Sequence, residues 1–311
     1  MKHDTAGDPI SGLKWTRRTT HKIAQELKRL GIQVSANTVA RLLKDMGFSL
    51  RVNHKKISTG SGPERDQQFA YIAELRASFA RDGMPIISVD TKKKELVGHF
   101  KNPGVAWNRE PTLVNDHDFR SHAKGIAVPY GIYDLQANQG FVFVGRSHDT
   151  AEFAVDNIEK WWRHAGLLRY PNAKDLLILA DCGGSNGPRI RAWKHWIQEN
   201  ICDRHGISVT VSHYPAGASK WNPIEHRLFS EISKNWAGEP LTSFQTALNF
   251  IRTTKTSKGL STSAFFVRKK YVKGLRFDDE QMASLCLLKH NTLPKWNYTL
   301  EPRRNRELIS A

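Results

Sequence analysis

The sequence predicts an α/β protein in which a mixed five-stranded sheet with flanking helices is preceded by a small all-α module. Three observations carry that prediction. Over residues 84–238, short apolar runs rich in Val and Ile alternate with longer amphipathic stretches, the texture of strands exchanged with helices. Two of the runs, "AVPYGIYDLQ" (127–136) and "GFVFVGRS" (140–147), are separated only by Ala-Asn-Gln, a hairpin spacing. Residues 19–46 show helical periodicity alone, interrupted once by Gly31.

The first element pair lies in "TTHKIAQELKRLGIQVSANTVARLLKDM". Ile23, Ala24, Leu27 and Leu30 form one apolar stripe, and Val39, Leu42, Leu43 and Met46 form another. Gly31 ends the first helix and Ser35 caps the second. This is a helix-turn-helix pattern, whose second helix would present Asn37, Thr38, Arg41 and Lys44 to a major groove. A helical hairpin with a solvated basic face is the plainer alternative. "FSLRVNHKK" (48–56) is expected to be extended, as a wing or tether. "STGSGPERDQ" (58–67) reads as a linker entering a helix that ends at Gly83.

The sheet follows. "MPIISVD" (84–90) is the first strand, the hairpin supplies the next two, and "DTAEFAVDNIEKWWRHAG" is a helix begun by Asp149 or Thr150. "DLLILAD" (175–181) is a strand, "GPRIRAWKHWIQENICDRHG" a helix, "ISVTVSHYPA" a strand, and "KWNPIEHRLFSEISKNWAG" a helix opened by Asn222 and Pro223. Strand–helix–strand units force parallel neighbours and a hairpin forces antiparallel ones. That order describes a ribonuclease-H-like core. The expected divisions are a helix-turn-helix module (1–57), a linker and connecting helix (58–83), the ribonuclease-H-like domain (84–238) and a helical, basic extension (239–311). In the extension "FDDEQMASLCLLKH" reads as helix and "RRNRE" is basic.

Charge narrows the partner. The 311 residues hold 47 Lys and Arg against 30 Asp and Glu, a formal charge of +17, which points to a polyanion and first to nucleic acid. Residues 1–62 alone hold 12 Lys and Arg against 4 Asp and Glu. No apolar run approaches membrane-spanning length and no signal-peptide pattern is present. Cys182, Cys202 and Cys286 follow no metal-binding spacing, and an odd, scattered set suits a reducing cytoplasm.

The acids point to chemistry. "LLILADCGGSNGPR" (176–189) runs an apolar strand into Asp181 and then into glycines. A carboxylate there is costly to bury unless it caps a helix or holds a cation. Asp90 ends another strand, and parallel neighbours bring both acids to one sheet edge, where ligands of α/β sheets bind. Glu225 lies in the first turn of the helix after the last core strand. Three converging carboxylates repel one another unless neutralised, and two Mg²⁺ ions would do so, with Mn²⁺ as a possible substitute. Such a pair activates a water or 3′-hydroxyl in phosphodiester displacement. Lys92, Lys93 and Lys94 are expected to touch phosphates, with a solvated charge run as the plainer alternative; Arg227 suits phosphate binding or charge balance, and Lys220 and Asn222 either position Glu225 or touch DNA. His117, Asp118 and His122 lack the spacing of a metal site. Trp161, Trp162, Trp193 and Trp196 are expected in the core.

"SVDTKKKELVGHFKNPG", "VPYGIYDL", "HDTAEFAVDNIEKWW", "ADCGGSNG" and "SKWNPIEHRLFSEISKNW" resemble the signature blocks of the Rhodopirellula-type DDE transposase family of bacterial insertion sequences. The likeness extends from Trp15 to "WNYTLEP" at 296–302. It implies Mg²⁺-dependent cleavage at transposon ends and strand transfer into target DNA, with Asp90, Asp181 and Glu225 as catalytic and metal-binding acids and a homodimer assembled on double-stranded DNA. Family members carry more helix-turn-helix material ahead of this point, so one alternative is a shortened transposase that binds DNA without cutting it; the other is a ribonuclease-H-like nuclease, which would share the three acids but has no need of the helix-turn-helix.

Overall fold

The structure, a computed structural model, describes residues 5–7, 14–16, 19–48 and 62–303. The chain divides into two units, residues 1–58 and 59–311.

In the first unit, β1 (Thr5–Gly7) and β2 (Lys14–Thr16) pair antiparallel. α1 (Thr20–Arg29) is capped by Thr19, whose hydroxyl accepts from Lys22 N, and α2 (Ala36–Asp45) by Ser35, which accepts from Thr38 N at 3.1 Å. Gly31 ends α1 with a φ of 85°, where a side chain would be strained. Of the two expected apolar stripes only Ile23 and Val39 are buried, and Leu30, Leu42 and Met46 are exposed. Two ten-residue helices can cover only the residues that face each other. Asn37, Arg41 and Lys44 are exposed, whereas Thr38 is half-buried and bonded to the Ser35 hydroxyl. The expected wing, after Phe48, and the start of the linker lie outside the described residues.

The second unit opens with α3 (Pro63–Arg81), which has Pro63 in its first turn, where the missing N–H costs nothing. β3 (Ile86–Thr91), β4 (Glu95–Val97), β5 (Gly125–Asp134) and β6 (Gln139–Gly145) follow. α4 (Ala151–Trp161), capped by Thr150, passes through a π-helical turn into α5 (Leu167–Arg169). β7 (Asp175–Ala180), α6 (Arg191–Ile197) and β8 (Ser208–His213) complete the predicted core. A helix entered at Pro223 begins with a π-helical turn, Glu225–Phe229, and ends as α7 (Ser230–Asn235).

β3 pairs antiparallel with β5 and parallel with β7; β5 pairs antiparallel with β6, and β7 parallel with β8. These are the five expected strands of the ribonuclease-H-like core, and they lie side by side in the order β6-β5-β3-β7-β8. The sheet is larger than expected, however, with nine strands among the described residues. α8 (Phe244–Thr253) leads to β9 (Ser261–Phe266), parallel to β6, and α9 (Asp279–Ala283) leads to β10 (Leu287–Lys289) and β11 (Asn297–Leu300), the last antiparallel to β8. Residues 239–303 are therefore part of the sheet at both edges, where they satisfy main-chain groups that β6 and β8 would otherwise expose. Within "FDDEQMASLCLLKH" only Asp279–Ala283 is helical, closed early by a short strand.

Strand side chains alternate between two faces. Ile87, Val89, Tyr130, Ile132, Leu176 and Ile178 pack under α4 and α6, with Trp161, Trp162 and Trp193 fully buried. On the other face, Leu177 and Leu179 meet α3, while Val142 and Val144 meet Leu228, Phe229 and α8. No helix among the described residues is long and apolar enough to cross a membrane.

Candidate active site

The site is set by strand register. β3 and β7 pair as Ile86↔Leu177, Ile87↔Ile178 and Ser88↔Leu179, and carried two residues further the same register sets Asp90 opposite Asp181. Alternation gives Asp90 the face of Ile86 and Ser88, and Asp181 the face of Leu177 and Leu179. Adjacent strands are about 4.8 Å apart, so the two carboxyls are neighbours.

Glu225 is brought to them by the helix entered at Pro223. The Ser88 hydroxyl donates to Asn222 Oδ1 and accepts from Ile224 N at 3.1 Å, and Asn222 Nδ2 reaches the Val89 carbonyl at 3.4 Å. Those bonds fix the start of the helix two residues from Asp90. Gly131 lies opposite Asp90 on β5. A Cβ there would stand 2.4 Å from Phe229 Cε1 and 2.9 Å from Ile224 Cδ1, so glycine is what lets the helix approach. Asn222 is fully buried; of its two expected roles, its placement permits positioning and not contact with DNA.

The acids bear on one another electrostatically. Burial pushes Asp90 up to about 8, the Asp181 charge adds to this, and Glu225 and Asp149 add further, against a bond from Thr91 N. Asp181 is raised by burial and by Asp149, against a 3.1 Å bond from Gly183 N. Burial raises Glu225 as well, while a hydrogen bond with Asp90 and the nearby Lys92 charge oppose the rise. Asp181 does not cap α6, which starts after Ile190 without a side-chain cap. Among the described residues, no three His, Cys, Asp or Glu side chains are gathered tightly enough to hold a metal ion. The donor set nevertheless fits hard divalent cations, being all carboxylate oxygen and short of positive charge.

Several participants were not legible as such in the sequence. Asp149 accepts from the Thr91 hydroxyl at 3.1 Å and lies 3.8 Å from Lys94 Nζ; its position before a helix marked it only as a cap, a role that Thr150 takes. Tyr130, fully buried, donates to Asn186 Oδ1 at 3.1 Å. Burial, with Asp90 and Asp149 nearby, keeps its phenol protonated. His213 Nδ1 donates to the Asp181 carbonyl, and burial depresses this imidazole to about 4, so it is neutral.

The expected phosphate contacts divide. Lys92 is buried, 3.3 Å from Glu95 and 4.6 Å above the Trp236 ring, and is thereby withdrawn from DNA, because its strand continues under the helix that carries Glu225. Lys93 and Lys94 are exposed, as are Lys220 and Arg227. Lys220 Nζ lies 4.0 Å from the centre of the Trp221 ring, which Arg65 covers at 4.9 Å. His117 and His122 flank Phe119 in ring contacts.

The model of the family described as Rhodopirellula transposase DDE domain matches residues 1–302. No curated protein matches the chain. Among solved structures, the chain is similar to the "Mos1 transposase paired-end complex with left transposon end", at 15% identity and a TM-score of 0.45 over 75% of this chain and 65% of that one. It is also similar to the "Crystal structure of the mariner Mos1 paired end complex with Mg", at 14% identity and a TM-score of 0.46, again over 75% of this chain and 65% of that one. The chain thus spans about two thirds of the length of these solved chains.

Proposed function

Since the chain belongs to the Rhodopirellula transposase DDE domain family, we propose that it is an insertion-sequence transposase that cleaves DNA at transposon ends and joins the freed strand to target DNA. The observation that carries this reading is the meeting of Asp90, Asp181 and Glu225 at one sheet edge, in a chain of charge +17. Asp90 and Asp181, on adjacent parallel strands, and Glu225, on the helix beside them, would hold two Mg²⁺ ions, with Mn²⁺ as substitute. When bound, such ions lower the pKa of the attacking water or 3′-hydroxyl and stabilise the leaving oxygen.

The protein's own groups do the rest. Thr91 N and Gly183 N each bond a carboxylate oxygen and so orient Asp90 and Asp181. Ser88 and Asn222 hold the Glu225 helix in place. The flexible Gly183-Gly184 turn leaves the edge open to a phosphodiester, both glycines being exposed. Lys93, Lys94, Lys220 and Arg227, all exposed, would meet backbone phosphates, and Asn37, Arg41 and Lys44 of α2 would serve duplex recognition. A homodimer on DNA, working in the cytoplasm, follows from the family reading.

The test is Mg²⁺-dependent nicking and strand transfer on a labelled duplex carrying the element's ends, comparing the protein with Asp181→Asn. Activity in the first and its loss in the second, at unchanged duplex affinity, is the expected result. Equal loss of affinity would make Asp181 structural. Salt-sensitive binding with no cutting in either protein would identify a chain that binds DNA without processing it.

A further inference from the structure

Residues 268–276, Arg-Lys-Lys-Tyr-Val-Lys-Gly-Leu-Arg, follow β9 without forming a helix or strand, yet they are tied down at both ends. Tyr271 is buried; its hydroxyl donates to Asp156 Oδ2 at 2.9 Å, its N–H to the Ser147 hydroxyl at 3.1 Å, and its carbonyl accepts from His148 Nδ1 at 3.0 Å. Lys269 adds ion pairs to Glu152 at 2.8 Å and to Asp156 at 2.7 Å. At the far end Arg191 donates to the Phe277 carbonyl at 3.0 Å, and the Phe277 ring packs 4.3 Å from His195. Between these anchors the segment is a fixed strap.

Five of its nine residues are cationic. Lys269 is neutralised, but Arg268, Lys270, Lys273 and Arg276 are exposed and have no ion pair among the described residues. A basic run on a solvated helix needs no partner. This one differs because its main chain is held by Ser147 and His148 ahead of α4 and by Arg191 of α6, and because it lines a groove of about 420 Å³. The lining also includes Asp149, which bonds Thr91 next to Asp90, and Gly184 and Ser185, which follow Asp181 in the chain, so the groove reaches the neighbours of the acids. Lys94 and Lys273 line it together with apolar Ile190, Trp196, Val272 and Leu275. Val272 is 67% exposed and Leu275 50%. Cations beside apolar surface match a strand of nucleic acid, which offers a phosphate and then a sugar and base face at every step.

We propose that residues 268–276 and this groove are a second DNA-contact surface, separate from α2, which holds the strand adjoining the reactive phosphodiester. The inference rests on the transposase reading and adds to it where the DNA lies.

The experiment measures duplex affinity of the full chain by fluorescence anisotropy across a salt series, for the wild type and for a variant carrying Lys270→Gln, Lys273→Gln and Arg276→Gln. Each lost phosphate contact removes about 0.9 from the slope of log affinity against log salt. The expected result is a slope lower by about 2 to 3, retained when the same three positions hold Arg, Arg and Lys, with the thermal midpoint unchanged. Wild-type binding with the same slope in the Gln variant overturns the surface and leaves the transposase reading standing. No salt-dependent binding by the wild type overturns the reading itself. Loss of binding to phosphatidylserine vesicles without any change in the DNA slope assigns the strap to lipid and also overturns the proposal.

Discussion

His213 donates from Nδ1 to the main-chain carbonyl of Asp181 at 3.0 Å. Its Nε2 accepts from the Tyr298 hydroxyl at 3.3 Å, and that oxygen accepts from Trp193 Nε1 at 2.9 Å. The three side chains are fully or almost fully buried, and every polar hydrogen among them has one acceptor. The end of β7 is thus tied through β8 to β11, so a strand of the C-terminal extension supports the second acid.

Tyr298→Phe removes the middle of this chain, leaving His213 Nε2 without a donor and Trp193 Nε1 without an acceptor. Unpaired buried groups cost about 1–3 kcal/mol each, so the thermal midpoint should fall. If the chain also positions Asp181, the Mg²⁺ concentration for half-maximal cleavage should rise, with activity largely recovered at saturating Mg²⁺. A lowered midpoint with an unchanged Mg²⁺ profile would limit the chain to a stabilising role.

Gly131→Ala tests how the Glu225 helix is seated. The added methyl meets the Phe229 ring at 2.4 Å, and overpacking of this kind costs about 1–3 kcal/mol. Gly166→Ala is the comparison, since its Cβ would meet the Trp162 ring, also at 2.4 Å, in the turn between α4 and α5 and away from the Glu225 helix. At equal loss of thermal stability, Gly131→Ala should lose far more cleavage activity. Equal activity in the two variants would detach the seating of the helix from catalysis.

How much of this was written in the sequence depends on the element. β3 and β7 are apolar runs buried on both faces, each ending in an acid, and such runs are read directly, together with Asp90 and Asp181. Glu225 is legible only through its place in the first turn of a helix and through the family blocks. β10 and β11 were not found: they are three and four residues long, and Asn297 is buried only because Gln68 and Ser212 bond it from far along the chain. Asp149 was seen as a helix-starting acid, because its relation to Asp90 passes through Thr91 and depends on the sheet being folded. The run Lys92-Lys93-Lys94 reads as one basic patch, but strand alternation turns Lys92 inward onto Trp236.

That division gives a third prediction. Lys92→Ala removes the partner of the half-buried Glu95 and a ring contact, and should lower stability by about 1–3 kcal/mol with little change in the salt dependence of DNA binding. The pair Lys93→Gln and Lys94→Gln should do the reverse, reducing the salt slope by about 2 with the thermal midpoint nearly constant. Salt titration and thermal melting of both variants check this. A reduced slope in Lys92→Ala would mean that the side chain leaves its buried position when DNA binds.

The raised acids predict how the metal-free protein responds to pH. Asp90 is pushed from an ordinary 3.8 to about 8, so between those values the folded state holds a proton that the unfolded state has released. Stability must then fall as pH rises through that window, with the full penalty reached above pH 8. Asp181 and Glu225 are raised too and add with the same sign. Thermal melts in chelator should therefore show a midpoint that declines from weakly acidic to weakly alkaline pH. Asp90→Asn should flatten that decline and melt above the wild type at the alkaline end, because the neutral amide carries no buried charge. Added Mg²⁺ should raise the wild-type midpoint most where the carboxylates are ionised, and raise that of Asp90→Asn less, since binding to the folded state alone stabilises it. An identical pH slope in the two proteins would show that Asp90 is not the group that titrates, and would shift the source of the slope to Asp181 and Glu225.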